Sequence, residues 1–141
     1  MSARAVALKH GFRSGLEETV SKALKEAGVP FTYEKVKIKY LQPATERMYT
    51  PDFELDNGII IETKGRFLIA DRKKHILIKR QHPQLDIRFV FSNSKQKISK
   101  GSRTTYADWC TKNGFLYADK EIPVHWLKEK RKSIHDGRKL D

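Results

Sequence analysis

Tyr49-Thr50-Pro51-Asp52-Phe53-Glu54-Leu55-Asp56-Asn57-Gly58-Ile59-Ile60-Ile61-Glu62-Thr63-Lys64 is the stretch on which the fold of this chain turns. Tyr49 to Leu55 and Ile59 to Lys64 are short β-prone runs. Asp56-Asn57-Gly58 between them is a turn signal, because glycine accepts a positive φ without steric cost. Two hairpin registers are open. A two-residue loop sets Asp56 against Ile59 and Phe53 against Glu62. A three-residue loop sets Leu55 against Ile59, Phe53 against Ile61 and Asp52 against Glu62, with Gly58 at a bulge. Side chains alternate, so a slip of one residue carries Glu62 onto the face of Phe53 and Leu55; burial therefore selects the three-residue loop. Lys64 then shares the face of Glu62.

That register opposes two carboxylates with β-carbons roughly 5 Å apart, which destabilises a sheet by itself. A Mg2+ ion would offset the repulsion, being a hard cation that takes one or two carboxylates, waters and a substrate phosphate. The plainer alternative is a solvated face on which Asp52, Glu62 and Lys64 alternate with core residues. Glu-x-Lys alone is common in a chain that is 33% charged.

Composition bounds the partner. The 141 residues, 38% hydrophobic, suit one globular domain. Twenty-nine Lys and Arg against seventeen Asp and Glu give a net charge of +12, which favours nucleic acid, because each neutralised phosphate releases counterions. A protein that only coats DNA has little reason to oppose two carboxylates, whereas a nuclease needs an acidic pocket in a basic surface. The single Cys110 excludes an internal disulfide framework and a Cys-rich zinc site, and reads as a packed thiol in a reducing compartment. No apolar run of about 18 residues and no signal-peptide pattern at Met1 is present, so neither a transmembrane nor a secreted protein is expected. His10, His75, His82, His125 and His135 lack ligand spacing. They read as surface or structural groups, with phosphate contact by His75 or His10 the minor alternative.

The order of elements is α/β. Ser14-Gly15-Leu16-Glu17 has a capping-box pattern that opens a helix over 14–27, closed by Gly28 and Pro30. Phe31 to Tyr40 alternates as one half-exposed strand, with Val36, Ile38 and Tyr40 inward and Lys35, Lys37 and Lys39 outward. Leu41 to Met48 reads equally as a loop or an extended connector. Ala70 to Gln81 should be a helix with a basic surface of Arg72, Lys73, Lys74, Lys79 and Arg80. Asp86 to Ser92 should hold a buried strand around Phe89-Val90-Phe91. Asn93 to Arg103 is a Lys- and Ser-rich loop, Thr105 to Asn113 a short helix stopped by Gly114, Phe115 to Ala118 a last strand, and Pro123 the opening of a final helical turn. Both ends are basic. Residues 1–13 form an arm with Arg4, Lys9 and Arg13, and 128–141 a tail, each expected to be mobile until DNA is bound.

Phe12-Arg13-Ser14-Gly15-Leu16-Glu17, Tyr49-Thr50-Pro51-Asp52-Phe53, Ile61-Glu62-Thr63-Lys64-Gly65, Asp71-Arg72-Lys73-Lys74-His75, Gln81-His82-Pro83 and Leu85-Asp86-Ile87-Arg88 occur in this order. Together they resemble the bacteriophage endonuclease I family of Holliday-junction resolvases, within the PD-(D/E)XK nuclease superfamily. The resemblance implies a restriction-endonuclease-like mixed sheet flanked by helices, in an intertwined, domain-swapped homodimer. In that arrangement a β-bridge near 41–48 links 14–40 and 49–127, which enter different catalytic halves. Each site would take Glu17 from one subunit and Asp52, Glu62 and Lys64 from the other. Glu17, Asp52, Glu62 and the Thr63 carbonyl would hold up to two Mg2+ ions, with Mn2+ able to substitute and no organic cofactor.

The implied activity is metal-dependent, structure-selective endodeoxyribonuclease action on four-way junctions and other branched DNA. It would serve phage DNA recombination, replication or host DNA breakdown in the cytoplasm of the infected bacterium. Arg4, Lys9, Arg13, Arg72, Lys73, Lys74, Lys95, Lys97 and Lys100 are the expected DNA contacts. The rival readings are a sequence-specific restriction-type endonuclease, a non-catalytic DNA-binding protein and a basic membrane-surface protein.

Overall fold

A computed structural model describes residues 15–42, 45–131 and 138–140. Helix α1 (Gly15–Glu26) is followed by strands β1 (Phe31–Tyr33), β2 (Val36–Gln42), β3 (Thr45–Tyr49), β4 (Phe53–Leu55) and β5 (Ile60–Lys64). Then come α2 (Ile69–Gln81), β6 (Ile87–Phe91), α3 (Tyr106–Asn113), β7 (Tyr117–Asp119), α4 (Val124–Leu127) and β8 (Arg138–Leu140).

The β4–β5 hairpin has the register that burial demands. Phe53 pairs with Ile61, the Leu55 amide donates to the Ile59 carbonyl at 2.8 Å, and Gly58 takes φ +91°. Asn57 accepts from the Ile59 amide and donates from Nδ2 to the Trp126 and Glu129 carbonyls, so the turn is tied to the far end of the chain. The hairpin sits inside a five-stranded mixed sheet of order β1-β4-β5-β6-β7, in which β1, β4 and β5 run antiparallel and β5, β6 and β7 parallel.

Both faces of this sheet are covered, which explains the near-continuous apolar strand at Phe89-Val90-Phe91. Ile60, Phe89 and Phe91 point into a core with Phe67 and Ile78, the α3 residues Trp109 and Cys110, and Tyr49. Ile61 and Val90 point the other way, to Val20 and Leu24 of α1, Phe53, Ile122 and Trp126. Burial pushes the Cys110 thiol up to about 12, as expected of a packed cysteine. Helix α3 is bounded by side chains its sequence supplies. Thr105 Oγ1 accepts from the Asp108 amide and Asp108 accepts from the Thr105 amide, both at 3.0 Å, and Gly114 ends the helix at φ +78°.

Two expectations change. Phe31 to Tyr40 is not one strand: Glu34 at φ +52° breaks it, leaving β1 in the large sheet and β2 in a second sheet of order β3-β2-β8. The inward set Val36, Ile38 and Tyr40 is buried as read from the alternation. Within the segment read as a loop or extended connector, residues 41–42 belong to β2 and 45–48 to β3, where Gln42 pairs with Thr45 and Ile38 with Tyr49 of the same chain. Part of the basic tail is also placed, since Arg138–Leu140 pairs with β2. Ser14, the expected cap of α1, lies outside the described residues.

Candidate active site

Asp52 stands just before β4 and is only 2% exposed. Its Oδ2 accepts from the Thr63 backbone N–H at 2.8 Å and from Thr63 Oγ1 at 2.9 Å, so the neighbouring strand clamps the carboxylate. Glu62, 5% exposed on β5, has Oε2 hydrogen-bonded by the Tyr49 hydroxyl at 2.7 Å, while Oε1 lies 3.7 Å from the Lys64 ammonium. Lys64 Nζ also lies 3.4 Å from Asp71 Oδ1. Asp71 Oδ2 accepts from the Leu68 amide at 3.1 Å, so one carboxylate caps α2 and steadies the lysine.

The charges constrain one another. Burial first, and then the charge of Asp52, push the Glu62 carboxyl up to about 8, against the opposing pull of Lys64, the Tyr49 hydroxyl and Lys74. Burial alone would lower the Lys64 ammonium, but Glu62, Asp71 and Asp52 outweigh it and raise its pKa. Its acidic neighbours therefore favour the charged form of Lys64. Two buried carboxylates, one of them held above its usual range by burial and by the charge of the other, are the donor set that a hard divalent cation fits: one or two carboxylate oxygens, waters and a phosphate.

Glu17 projects from α1, 6% exposed, and accepts a hydrogen bond from the Tyr33 hydroxyl. Tyr33 pairs with Phe53, next to Asp52, so the helix carboxylate is drawn toward the same end of the hairpin. Glu17 does not close a cage: among the described residues no three His, Cys, Asp or Glu side chains converge to hold a metal. Asp52 and Glu62 lie close enough for the charge of Asp52 to act on Glu62. In the single chain all of these residues come from one polypeptide.

The expected DNA contacts separate by position. Arg4, Lys9 and Arg13 lie outside the described residues. Arg72, expected on the basic surface, is buried instead: its Nη1 donates to the Phe67 carbonyl at 2.5 Å and the Ile98 carbonyl at 3.3 Å, binding the 93–105 loop to the start of α2. Lys73, Lys95, Lys97 and Lys100 are exposed, the last three on that loop, and Lys74 is half-buried with Nζ 5.2 Å over the Tyr49 ring. His75 is not a surface group. It is fully buried against Tyr49, Phe89 and Phe115, and burial holds its pKa well below the usual histidine range.

A cleft of about 580 Å³ opens beside the site, lined by Arg47, Met48, Ile69, Asp71, Lys73 and Lys74 among others. Tyr49, Tyr33, Asp71 and Arg47 are the neighbours that reading the sequence did not assign. Tyr49 and Asp71 stand inside the family motifs, but their hydroxyl and carboxylate targets depend on how β3 and α2 approach β5, which no local pattern encodes.

A family model described as phage endonuclease I matches residues 1–140. The chain is 54% identical to Endonuclease I of Escherichia phage T7 over 123 residues, covering 87% of this chain and 83% of that protein. It is 56% identical to Endodeoxyribonuclease 1 of Enterobacteria phage T3 over 123 residues, covering 87% of this chain and 81% of that one.

Proposed function

Because the chain belongs to the phage endonuclease I family, we propose that it is a divalent-metal-dependent endodeoxyribonuclease that nicks four-way junctions and other branched DNA. The observation that carries the chemistry is the buried, mutually repelling Asp52 and Glu62 pair with Lys64 3.7 Å from Glu62, on a chain of net charge +12. Asp52, Glu62 and the Thr63 carbonyl would hold Mg2+ or Mn2+, and Asp52 with Glu17 a second ion. Such an ion lowers the pKa of a bound water and screens the charge that builds on the phosphate.

The protein's own groups do the positioning. Thr63 holds Asp52 by two hydrogen bonds, and Tyr49 holds one oxygen of Glu62. Lys64, kept charged by its acidic neighbours, orients the attacking water or offsets charge on the phosphate. Asp71 restrains that lysine. Lys73, Lys95, Lys97 and Lys100 are exposed cations suited to phosphates, which position DNA without reading its bases.

Selectivity for branches requires two sites at a fixed separation, so the proposal includes a homodimer. In it β2 and β3 exchange partners between subunits, the segment 41–48 bridges them, and Glu17 serves the site whose Asp52 belongs to the other chain. Exchange of this kind replaces the β2–β3 pairing within one chain by the same pairing between chains at little cost. The setting is the infected bacterial cell, with branched phage DNA or host DNA as substrate. No helix of the described residues is long and apolar enough to cross a membrane.

The test is one assay. A synthetic four-way junction and linear duplexes of the same sequences are incubated with the protein, with Mg2+ or with EDTA. Mg2+-dependent paired nicks in the junction support the proposal. Preferred cutting of linear duplex at one sequence would identify a restriction-type enzyme, and binding without nicking a DNA-coating protein.

A further inference from the structure

Tyr49 is the last residue of β3 and is fully buried. Two neighbours hold its ring in place. His75 meets it edge-on at 5.2 Å and 86°, with His75 itself set edge-on to Phe89 at 4.9 Å, and the Lys74 ammonium lies 5.2 Å over the ring face. Among the described residues neither ring nitrogen of His75 has a hydrogen-bond partner, so this histidine acts here as an aromatic plate. What remains is the phenol hydroxyl, which points at Glu62 Oε2 from 2.7 Å.

A glutamate carboxylate turns freely, because its terminal torsion is broad and roughly two-fold. A glutamate that must present one oxygen to a cation therefore loses affinity unless something fixes that torsion before the cation arrives. The opposite oxygen, Oε1, lies toward Lys64 at 3.7 Å. We propose that Tyr49 is a positioning residue of the nuclease: its hydroxyl engages Glu62 Oε2, sets the carboxylate torsion and directs Oε1 to the cation. The inference rests on the nuclease reading above and adds a residue that touches neither DNA nor metal. It also joins the second sheet to the catalytic one, because the strand that pairs with β2 ends in the side chain that steadies Glu62.

Tyr49→Phe removes one oxygen and keeps the ring. Mn2+ binding is read without DNA from the electron paramagnetic resonance of the free ion, at a temperature where circular dichroism shows both proteins folded. The expected result is roughly ten-fold weaker Mn2+ binding, the range found when a partner of a metal ligand is removed. In cleavage, the half-saturating Mg2+ concentration should rise more than the rate at saturating Mg2+ falls, and junction binding in EDTA should stay as in the wild type. A 4-aminophenylalanine at position 49, which restores a donor on the same ring, should recover the affinity. Wild-type Mn2+ affinity in Tyr49→Phe, or failure of that donor to restore it, overturns the proposal. Glu62→Ala with undiminished Mn2+ binding would instead overturn the nuclease site itself.

Discussion

Glu62 is the residue on which binding, stability and pH meet. Its carboxyl ordinarily titrates near 4.5 and sits near 8 when folded, because burial and then Asp52 oppose its charge. The folded state therefore holds the proton longer than the unfolded state. The stability this contributes is complete below about pH 4.5 and is lost as pH rises through about 8. Metal-free protein should melt at falling temperatures over that window, and Glu62→Gln, which cannot ionise, should flatten the profile. On the proposed metal site, a bound Mg2+ would have to displace this proton, so added Mg2+ should stabilise the protein more near pH 8 than near pH 6, as read by calorimetry. Asp52→Ala and Glu62→Ala should each slow junction cleavage by about 10²–10³-fold or more, because they remove proposed ligands of the cation, and Lys64→Ala should behave similarly, because it removes positive charge proposed to act on the reacting phosphate. Gel-shift binding of the same variants in EDTA should match the wild type, since grip depends on the basic surface.

Helix α2 shows what an element hides from its sequence. Its buried positions are Arg72, His75 and Ile78, at spacing of one turn, so two of its three inward residues are polar types that patterning assigns to the surface. Only the approach of the 93–105 loop makes sense of Arg72, whose guanidinium satisfies the Phe67 and Ile98 carbonyls. Arg72→Ala leaves both acceptors unpaired and should cost about 2–3 kcal/mol by chemical denaturation. It should also speed proteolysis within 93–105. Thr105→Ala should cost about 1 kcal/mol through loss of the α3 cap. The β4–β5 hairpin was legible because alternation and burial left it one register, in which Phe53 opposes Ile61. The break at Glu34 was not legible, since nothing in Tyr33-Glu34-Lys35 signals a positive φ. The roles of Tyr49 and Asp71 were equally hidden, because they arise where elements distant in sequence meet. Glu17 was reached through resemblance alone.

At the scale of the whole molecule, a net charge of +12 makes DNA binding a salt-dependent property. Replacing Lys95, Lys97 and Lys100 together by alanine should flatten the slope of log K against log salt by about one for each phosphate no longer neutralised, whatever the DNA sequence. The proposed exchanged dimer makes a sharper demand. Mixing Glu17→Ala with Asp52→Ala protein and re-forming dimers would put both lesions in one site and leave the other intact, so single nicking should return. Unexchanged dimers carry one lesion per site and would stay inactive. The tie from Asn57 to the Trp126 and Glu129 carbonyls, with Arg88 bound to Glu129 at 2.6 Å and packed on Trp126, has a consequence for biosynthesis. The turn that aligns the two acids gains its anchor only after residue 129 leaves the ribosome, so a half-made chain carries the acids without the brace that aligns them, and a translation-arrested nuclease is a blunt one.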